Sequence, residues 1–128
     1  MNLLLDTHAL IWWLAGNAAI SSGAKRAIDE ASNSIFVSAA SAWEIATKHR
    51  LGKLPSAEQL AADVAGCVAQ QGFKPIAVTL MHGQIAGSLP GIHGDPFDRM
   101  LIAQAMIEDL VLVSNERVFD AYGVKRLW

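Results

Sequence analysis

The sequence predicts an α/β fold, a three-layer α/β/α sandwich with a central parallel sheet. Short runs of aliphatic residues alternate along the chain with longer segments of helical periodicity. The runs at residues 3–5 and 110–113 contain no polar alternation, which is typical of strands buried on both faces. Strands that alternate with helices are joined by right-handed crossovers, which cover both faces of a parallel sheet with helices.

Two kinds of local pattern define the predicted elements in chain order. Strands are predicted at short aliphatic or β-branched runs, at residues 2–5, 35–37, 73–78, 110–113 and 124–128. Helices are predicted at alanine-rich or amphipathic segments, at residues 7–15, 20 or 21 to 31, 39–51, 57–71, 80–88 and 97–108, with a helical turn at 116–122. Gly16 and Gly52 are stop signals, Pro96 opens the helix at 97–108, and residues 90–94 form a Gly/Pro/His loop.

Length and composition indicate one domain over residues 1–128. Hydrophobic residues make up 52% of the chain and charged residues 17%, so a packed globule is expected and disorder is not. The net charge of −2 gives no overall basic field, so any contact with RNA must rest on a local cluster. Lys48, Arg50 and Lys53 are the candidates, although such clusters are more often solvated helix faces.

The sequence also indicates a cytoplasmic protein without a membrane segment. The apolar start is interrupted by Asp6 and His8 and lacks the basic region of a signal peptide. No apolar run approaches the roughly 20 residues that a membrane-spanning helix needs. The single cysteine, Cys67, lies in an apolar helical pattern, where a buried hydrophobe is expected rather than a nucleophile. The histidines lack zinc-site spacing, and neither a phosphate-binding glycine loop nor a serine elbow is present.

Four acids fall where this topology predicts a ligand site. Open α/β sheets bind ligands at the carboxyl ends of their strands. The acids predicted there are Asp6 after the first strand, Glu44 after the second, Asp98 in the helix before the fourth, and Glu116 after the fourth. Clustered carboxylates repel one another unless a cation neutralises them, and oxygen ligands favour Mg²⁺ or Mn²⁺. The predicted chemistry is phosphodiester hydrolysis by a metal-activated water.

These acids are assigned different roles in the predicted site. Asp6 and Asp98 are expected to be direct ligands, Glu44 a ligand or an acceptor for a metal-bound water, and Glu116 a more distant ligand through water. The candidate supporting residues are Thr7, Asp95 and Ser114.

Each acid also has a structural interpretation. Asp6 and Asp95 are each placed to cap the helix that follows, and Ser41 and Glu44 match a capping box. Asp98 suits the helix dipole, and Glu116 is explicable as a surface acid. The joint pattern is more specific than any member, because one topology brings all four acids together.

Four sequence segments resemble the acidic motifs of PIN-domain proteins, particularly VapC-like toxins. They are Leu3-Leu4-Leu5-Asp6-Thr7-His8, Ser38-Ala39-Ala40-Ser41-Ala42-Trp43-Glu44-Ile45, the segment from Gly94-Asp95-Pro96-Phe97-Asp98-Arg99 to Ala105, and Val113-Ser114-Asn115-Glu116. The resemblance spans essentially the whole chain, and the Asp-Pro-Phe-Asp-Arg segment is its most specific part. At the fourth motif the family usually has an aspartate, whereas this chain has Glu116, which keeps the charge and adds a methylene.

The resemblance implies a Mg²⁺- or Mn²⁺-dependent endoribonuclease, usually a homodimer, that is held inactive by a cognate VapB-like antitoxin. It implies that Asp6, Glu44 and Asp98 bind the metal, with Glu116 at the fourth position.

Two other classes remain as alternatives. The first is a PIN-like module of weak catalysis that binds RNA or protein, which the Glu116 departure leaves open and the three matching acids argue against. The second is a phosphate-transferring α/β domain, but a phosphatase of the haloacid-dehalogenase kind needs a second aspartate where this chain has His8. A receiver domain needs an acid pair after the first strand and a lysine after the last, and neither is seen.

Overall fold

A computed structural model describes residues 1–91 and 93–128 and shows a five-stranded parallel sheet with helices. The strands are β1 Asn2–Leu5, β2 Ser34–Ser38, β3 Lys74–Ile76, β4 Val111–Val113 and β5 Arg126–Leu127. The helices are α1 Thr7–Ala15, α2 Ser22–Asp29, α3 Ala39–Arg50, α4 Glu58–Ala62, α5 Val64–Gln70, α6 Leu80–Ser88 and α7 Pro96–Glu108, with a 3₁₀ helix at Arg117–Tyr122. The predicted fold class is confirmed.

The strand order is β3-β2-β1-β4-β5, and every neighbouring pair is parallel. The central strand β1 pairs with β2 on one side and with β4 on the other. The carboxyl ends of these three strands therefore lie side by side at one edge, and the chain leaves β1 and β2 directly into α1 and α3.

Alternate residues of β1 supply the cores on the two faces of the sheet. Leu3 and Leu5 belong to a cluster packed beneath α1 and α2, whereas Leu4 belongs to a cluster with Leu101 and Phe119. All three leucines are fully buried, and each contributes about 1.5–3 kcal/mol through removal from water. The uninterrupted aliphatic run is thus explained by helices on both sides.

The largest difference from the predicted elements lies in the segment 57–71. A single helix was expected, but the chain breaks at Asp63 into α4 and α5. The Asp63 side chain accepts a hydrogen bond from the backbone N–H of Gly66 at 2.9 Å and so caps α5. An aspartate that bonds to nearby backbone competes with helix continuation, which explains the break.

Other boundaries differ by a few residues. The predicted strands 73–78 and 124–128 shorten to β3 and β5, and the second helix ends at Asp29. In the predicted loop 90–94, position 92 lies outside the described residues. None of the helices that the structure describes is long and apolar enough to cross a membrane.

Candidate metal centre

The sheet topology brings the predicted acids to one edge. Asp6 follows β1, Glu44 lies in α3 after β2, and Glu116 follows β4, so three adjacent strands position them. Asp98 lies in the first turn of α7. The charges of Glu44, Asp95 and Glu116 all act on the Asp98 carboxyl, and the charge of Glu116 also acts on Asp6. The acids therefore form one electrostatic cluster.

Asp6 is only 3% exposed and has a structural role besides its place in the cluster. Its Oδ1 accepts a hydrogen bond from the backbone N–H of Ala9 at 2.7 Å, so the predicted cap of α1 is confirmed. Burial raises the pKa of Asp6, against the opposing hydrogen bonds from Ser114 and Ala9. The capping bond holds one carboxylate oxygen in place at the end of β1.

Glu44 is 4% exposed, and protein groups engage both of its carboxylate oxygens. The Thr7 hydroxyl donates to Oε1 at 2.6 Å, and the Lys48 ammonium donates to Oε2. Thr7 also lies 3.1 Å from the Ser41 hydroxyl, which ties α1 to α3. The structural interpretation of Glu44 as part of a capping box with Ser41 is wrong, because α3 begins at Ala39 with Ser38 as its cap.

Asp98, like Asp6, has a raised pKa. Its burial, first, and the charges of Asp95, Glu116 and Glu44 raise that pKa to about 6, against the hydrogen bond from His93. His93 Nε2 lies 2.9 Å from Asp98 Oδ2. Asp95 caps α7 by accepting from the Asp98 backbone N–H at 2.9 Å, so its predicted structural role is confirmed.

Glu116 lies at the open side of the cluster. Its side chain is 39% exposed, and its Oε1 lies 3.8 Å from Nδ1 of His8. Its backbone N–H donates to the buried Ser114 hydroxyl at 3.0 Å, so Ser114 orders the turn after β4. Glu116 is thus more open to solvent than Asp6, Glu44 and Asp98.

The chemistry of this donor set fits a hard divalent cation, because every candidate ligand atom is a carboxylate oxygen. Burial is the first cause of the raised pKa values of Asp6 and Asp98, and the charges of neighbouring carboxylates add to it, so a bound cation would favour the charged forms of both groups. Within residues 1–91 and 93–128, however, no group of three or more histidines, cysteines and acids is arranged to hold an ion as the side chains stand. Lys48 and His93 occupy oxygens of Glu44 and Asp98, so an ion would displace them or bind the remaining oxygens.

The sequence did not predict the contacts of two residues near the acids, His93 and Arg99. His93, in the predicted loop, contacts Asp98. The Arg99 guanidinium donates to the backbone carbonyl oxygens of Ala86, Leu89 and His93 and so supports the segment between α6 and α7. The Asp-Pro-Phe-Asp-Arg motif pointed to Arg99, but only the structure shows its partners.

The three candidate RNA-contacting residues differ in their surroundings. Lys48 is partly buried beside Glu44, whereas Arg50 and Lys53 are exposed at the end of α3 and in the turn beyond it. Only Lys48 is therefore integrated with the acidic edge.

The raised pKa of Asp98 predicts a pH dependence of the stability of the metal-free protein. The pKa of Asp98 in the folded protein, about 6, exceeds the ordinary value of 3.8, so protonation of Asp98 stabilises the folded state. This stabilisation is complete below about pH 3.8. That contribution is lost as the pH rises through 6, and we expect it to total about 1–2 kcal/mol after allowance for solvent screening. The measurement is the free energy of unfolding of wild type and of Asp98→Asn, obtained by chemical denaturation in a chelator at pH 4.5 and at pH 7.5.

The Asp98→Asn variant should gain stability relative to wild type as the pH rises, and saturating Mn²⁺ should reduce that gain at pH 7.5. A pH-independent difference between the two proteins would contradict the prediction.

Comparisons with known proteins identify a family and independently match the fold. The model of the PIN domain family matches residues 3–125. Ribonuclease VapC22 of Mycobacterium tuberculosis is 30% identical over 118 residues, which cover 90% of this chain and 87% of that protein. Ribonuclease VapC16 of the same organism is 46% identical over 55 residues, which cover 43% of this chain and 39% of that protein. A chain in the crystal structure of VapBC2 from Rickettsia felis bound to a DNA fragment from their promoter has a TM-score of 0.72 and 16% identity, with 98% of this chain and 97% of that chain covered.

Proposed function

The chain belongs to the PIN-domain family, and from this premise we propose that it is a metal-dependent endoribonuclease, the toxin of a toxin–antitoxin pair. The observation that carries the proposal is the convergence of Asp6, Glu44, Asp98 and Glu116 at the carboxyl edge of the sheet. VapC22, which aligns with 90% of this chain, is named a ribonuclease, and this supports RNA as the substrate.

In the proposed site, Asp6 and Asp98 would hold a Mg²⁺ or Mn²⁺ ion, and Glu44 and Glu116 would contribute to the same site. When bound, the ion would activate a water for attack on phosphorus and would stabilise the negative charge that develops on the phosphate. The N-cap bond from Ala9 orients Asp6, and the Thr7 hydroxyl orients Glu44. Ser114 orders the backbone that carries Glu116. These contacts hold the acids before an ion arrives, which lowers the cost of assembling the site.

The proposed partners are an RNA substrate, a cognate VapB-like antitoxin and a second copy of the chain, all in the cytoplasm. The similarity of the fold to a chain of a VapBC complex supports the antitoxin. Large apolar side chains at the surface, with Leu80 at 95%, Trp43 at 63% and Met81 at 62% exposure, offer apolar area that a protein partner would cover. Sedimentation of the purified chain, alone and with its antitoxin, tests both proposals.

The direct test is RNA cleavage by the purified, antitoxin-free protein in Mg²⁺ or in Mn²⁺. We expect endonucleolytic products that disappear in excess chelator and return when the ion is restored, because the acids alone provide no nucleophile. Cleavage that persists in chelator would contradict the metal mechanism.

A second candidate function is a PIN-like module that binds RNA or protein and cleaves weakly. It is favoured by the engagement of Glu44 and Asp98 with Lys48 and His93, which leaves no ready-made group of three metal-binding residues among those described. Uncut RNA that nevertheless binds the folded protein in Mn²⁺ would support this second function.

A further inference from the structure

Glu44 is held by the protein itself on both sides of its carboxylate. The Thr7 hydroxyl engages Oε1 at 2.6 Å, and the Lys48 ammonium engages Oε2 from one turn further along α3. Thr7 and Lys48 take two of the roughly four acceptor sites of the carboxylate, and the positive charge of the ammonium disfavours a second cation at the sites that remain. Glu44 therefore differs from Asp6, which accepts from the Ala9 backbone N–H, and from Asp98, which contacts His93, because its partner is an ammonium.

The Lys48–Glu44 pair is not an ordinary surface ion pair. The Glu44 side chain is 5% exposed and that of Lys48 is 32% exposed, so solvent screens the two charges weakly. The charges of Asp95 and Asp98 also act on Lys48. Removing one partner of a buried pair leaves an uncompensated charge, so the ammonium balances negative charge that would otherwise be unpaired. Arg50 and Lys53 are exposed, and neither forms an ion pair among the described residues.

An ammonium and a divalent ion exclude each other at one carboxylate. Lysine carries three donors and no acceptor, so it repels the ion and cannot act as its ligand. Sites with two metals place the ions roughly 3.5–4 Å apart and hold them on surrounding carboxylates. The Lys48 ammonium already supplies a positive charge at Glu44, the carboxylate on which a second ion would depend.

We propose that Lys48 is a resident cation of the acidic edge, which takes the place of a second divalent ion at Glu44 and leaves one ion to bind at Asp6 and Asp98. Lys48 then supplies to the RNA phosphate the positive charge that a second ion supplies in two-metal sites. This inference rests on the proposed metal-dependent nuclease and adds to it the number of ions and the role of Glu44.

The test is a titration of the full-length, metal-free protein with Mn²⁺ by isothermal calorimetry. Wild type should bind one ion, and Lys48→Met, which removes the charge and keeps the length of the side chain, should bind two. Lys25→Met, on the exposed face of α2, is the matched control and should bind one ion like wild type. A Lys48→Met protein that binds one Mn²⁺ with wild-type affinity overturns the inference, as does a wild type that binds two.

Glu44→Gln provides a second measurement that does not depend on the folding of Lys48→Met. Because Glu44 pairs with Lys48 and not with the first ion, Glu44→Gln should change the affinity for the first Mn²⁺ by less than about threefold. Asp98→Asn should weaken the same affinity at least about tenfold. A loss of tenfold or more in Glu44→Gln would make Glu44 a direct ligand and overturn the inference. Absence of Mn²⁺ binding by wild type would instead contradict the proposed metal site itself.

Discussion

Replacement of Asp6 by asparagine is expected to reduce metal-dependent RNA cleavage by at least about 100-fold while the protein stays folded. Outer-shell partners of metal ligands typically contribute 10–100-fold, and a direct ligand should contribute more. Asparagine retains an oxygen that can accept the Ala9 N–H bond, so the cap of α1 survives. Since burial raises the pKa of Asp6, removal of its charge should not destabilise the metal-free fold. Single-turnover cleavage and thermal unfolding, measured on the same preparation, separate the two effects.

Asp109→Asn is the matched control for this substitution. Asp109 is exposed at the opposite end of α7 from Asp98, with a φ of 53° that asparagine also tolerates. The control should cleave RNA at the wild-type rate. If Asp6→Asn also cleaved at the wild-type rate, the acidic edge would not be the catalytic centre.

Replacement of Arg99 by lysine is expected to destabilise the fold by about 2–4 kcal/mol, although the charge is kept. The Arg99 guanidinium donates from Nε to the Ala86 carbonyl at 3.0 Å and from Nη1 to the His93 carbonyl at 2.9 Å, and its third donor reaches Leu89. A lysine ammonium cannot reproduce this planar fork, and each lost bond from a charged group leaves a backbone carbonyl without its partner. Denaturant unfolding at pH 7 measures the loss.

The Arg99 substitution should also impair cleavage, because its partner His93 contacts Asp98. Arg117→Lys, at an exposed position of the 3₁₀ helix, is the control and should change the free energy of unfolding by less than about 0.5 kcal/mol. An Arg99→Lys protein as stable as this control would show that the three bonds contribute little.

Much of the fold was predictable because the local signals agree with the tertiary packing. The bounds of β1, α1 and α6 match those predicted. The aliphatic run of β1 and the glycine that ends α1 are local signals, and in the structure the Thr79 side chain caps α6 in the same local way. The prediction of one helix over residues 57–71 was wrong. The helical pattern of the segment is favourable throughout, but the Asp63 side chain caps a new helix within it. Alanine and leucine favour a helix in general, but one capping bond decides where it starts.

The acids of the candidate site were predictable, but their partners were not. Strand ends indicated Asp6 and Glu116 directly, because the position of an acid relative to a strand is visible in the chain. Thr7 and Glu44, which are in contact, lie 37 positions apart in the chain, so no local sequence pattern predicts their contact.

By itself, the sequence determined the alternation of strands and helices, the parallel sheet that follows from it, and the acids at the strand ends. These features depend on interactions between residues close in the chain and on the burial of apolar runs. Only the tertiary structure decided that Lys48 and Thr7 take both oxygens of Glu44 and that Arg99 supports the segment before α7. The physical reason is that charge pairing and buried hydrogen bonds depend on distances across the fold, where a shift of about 1 Å makes or breaks a contact.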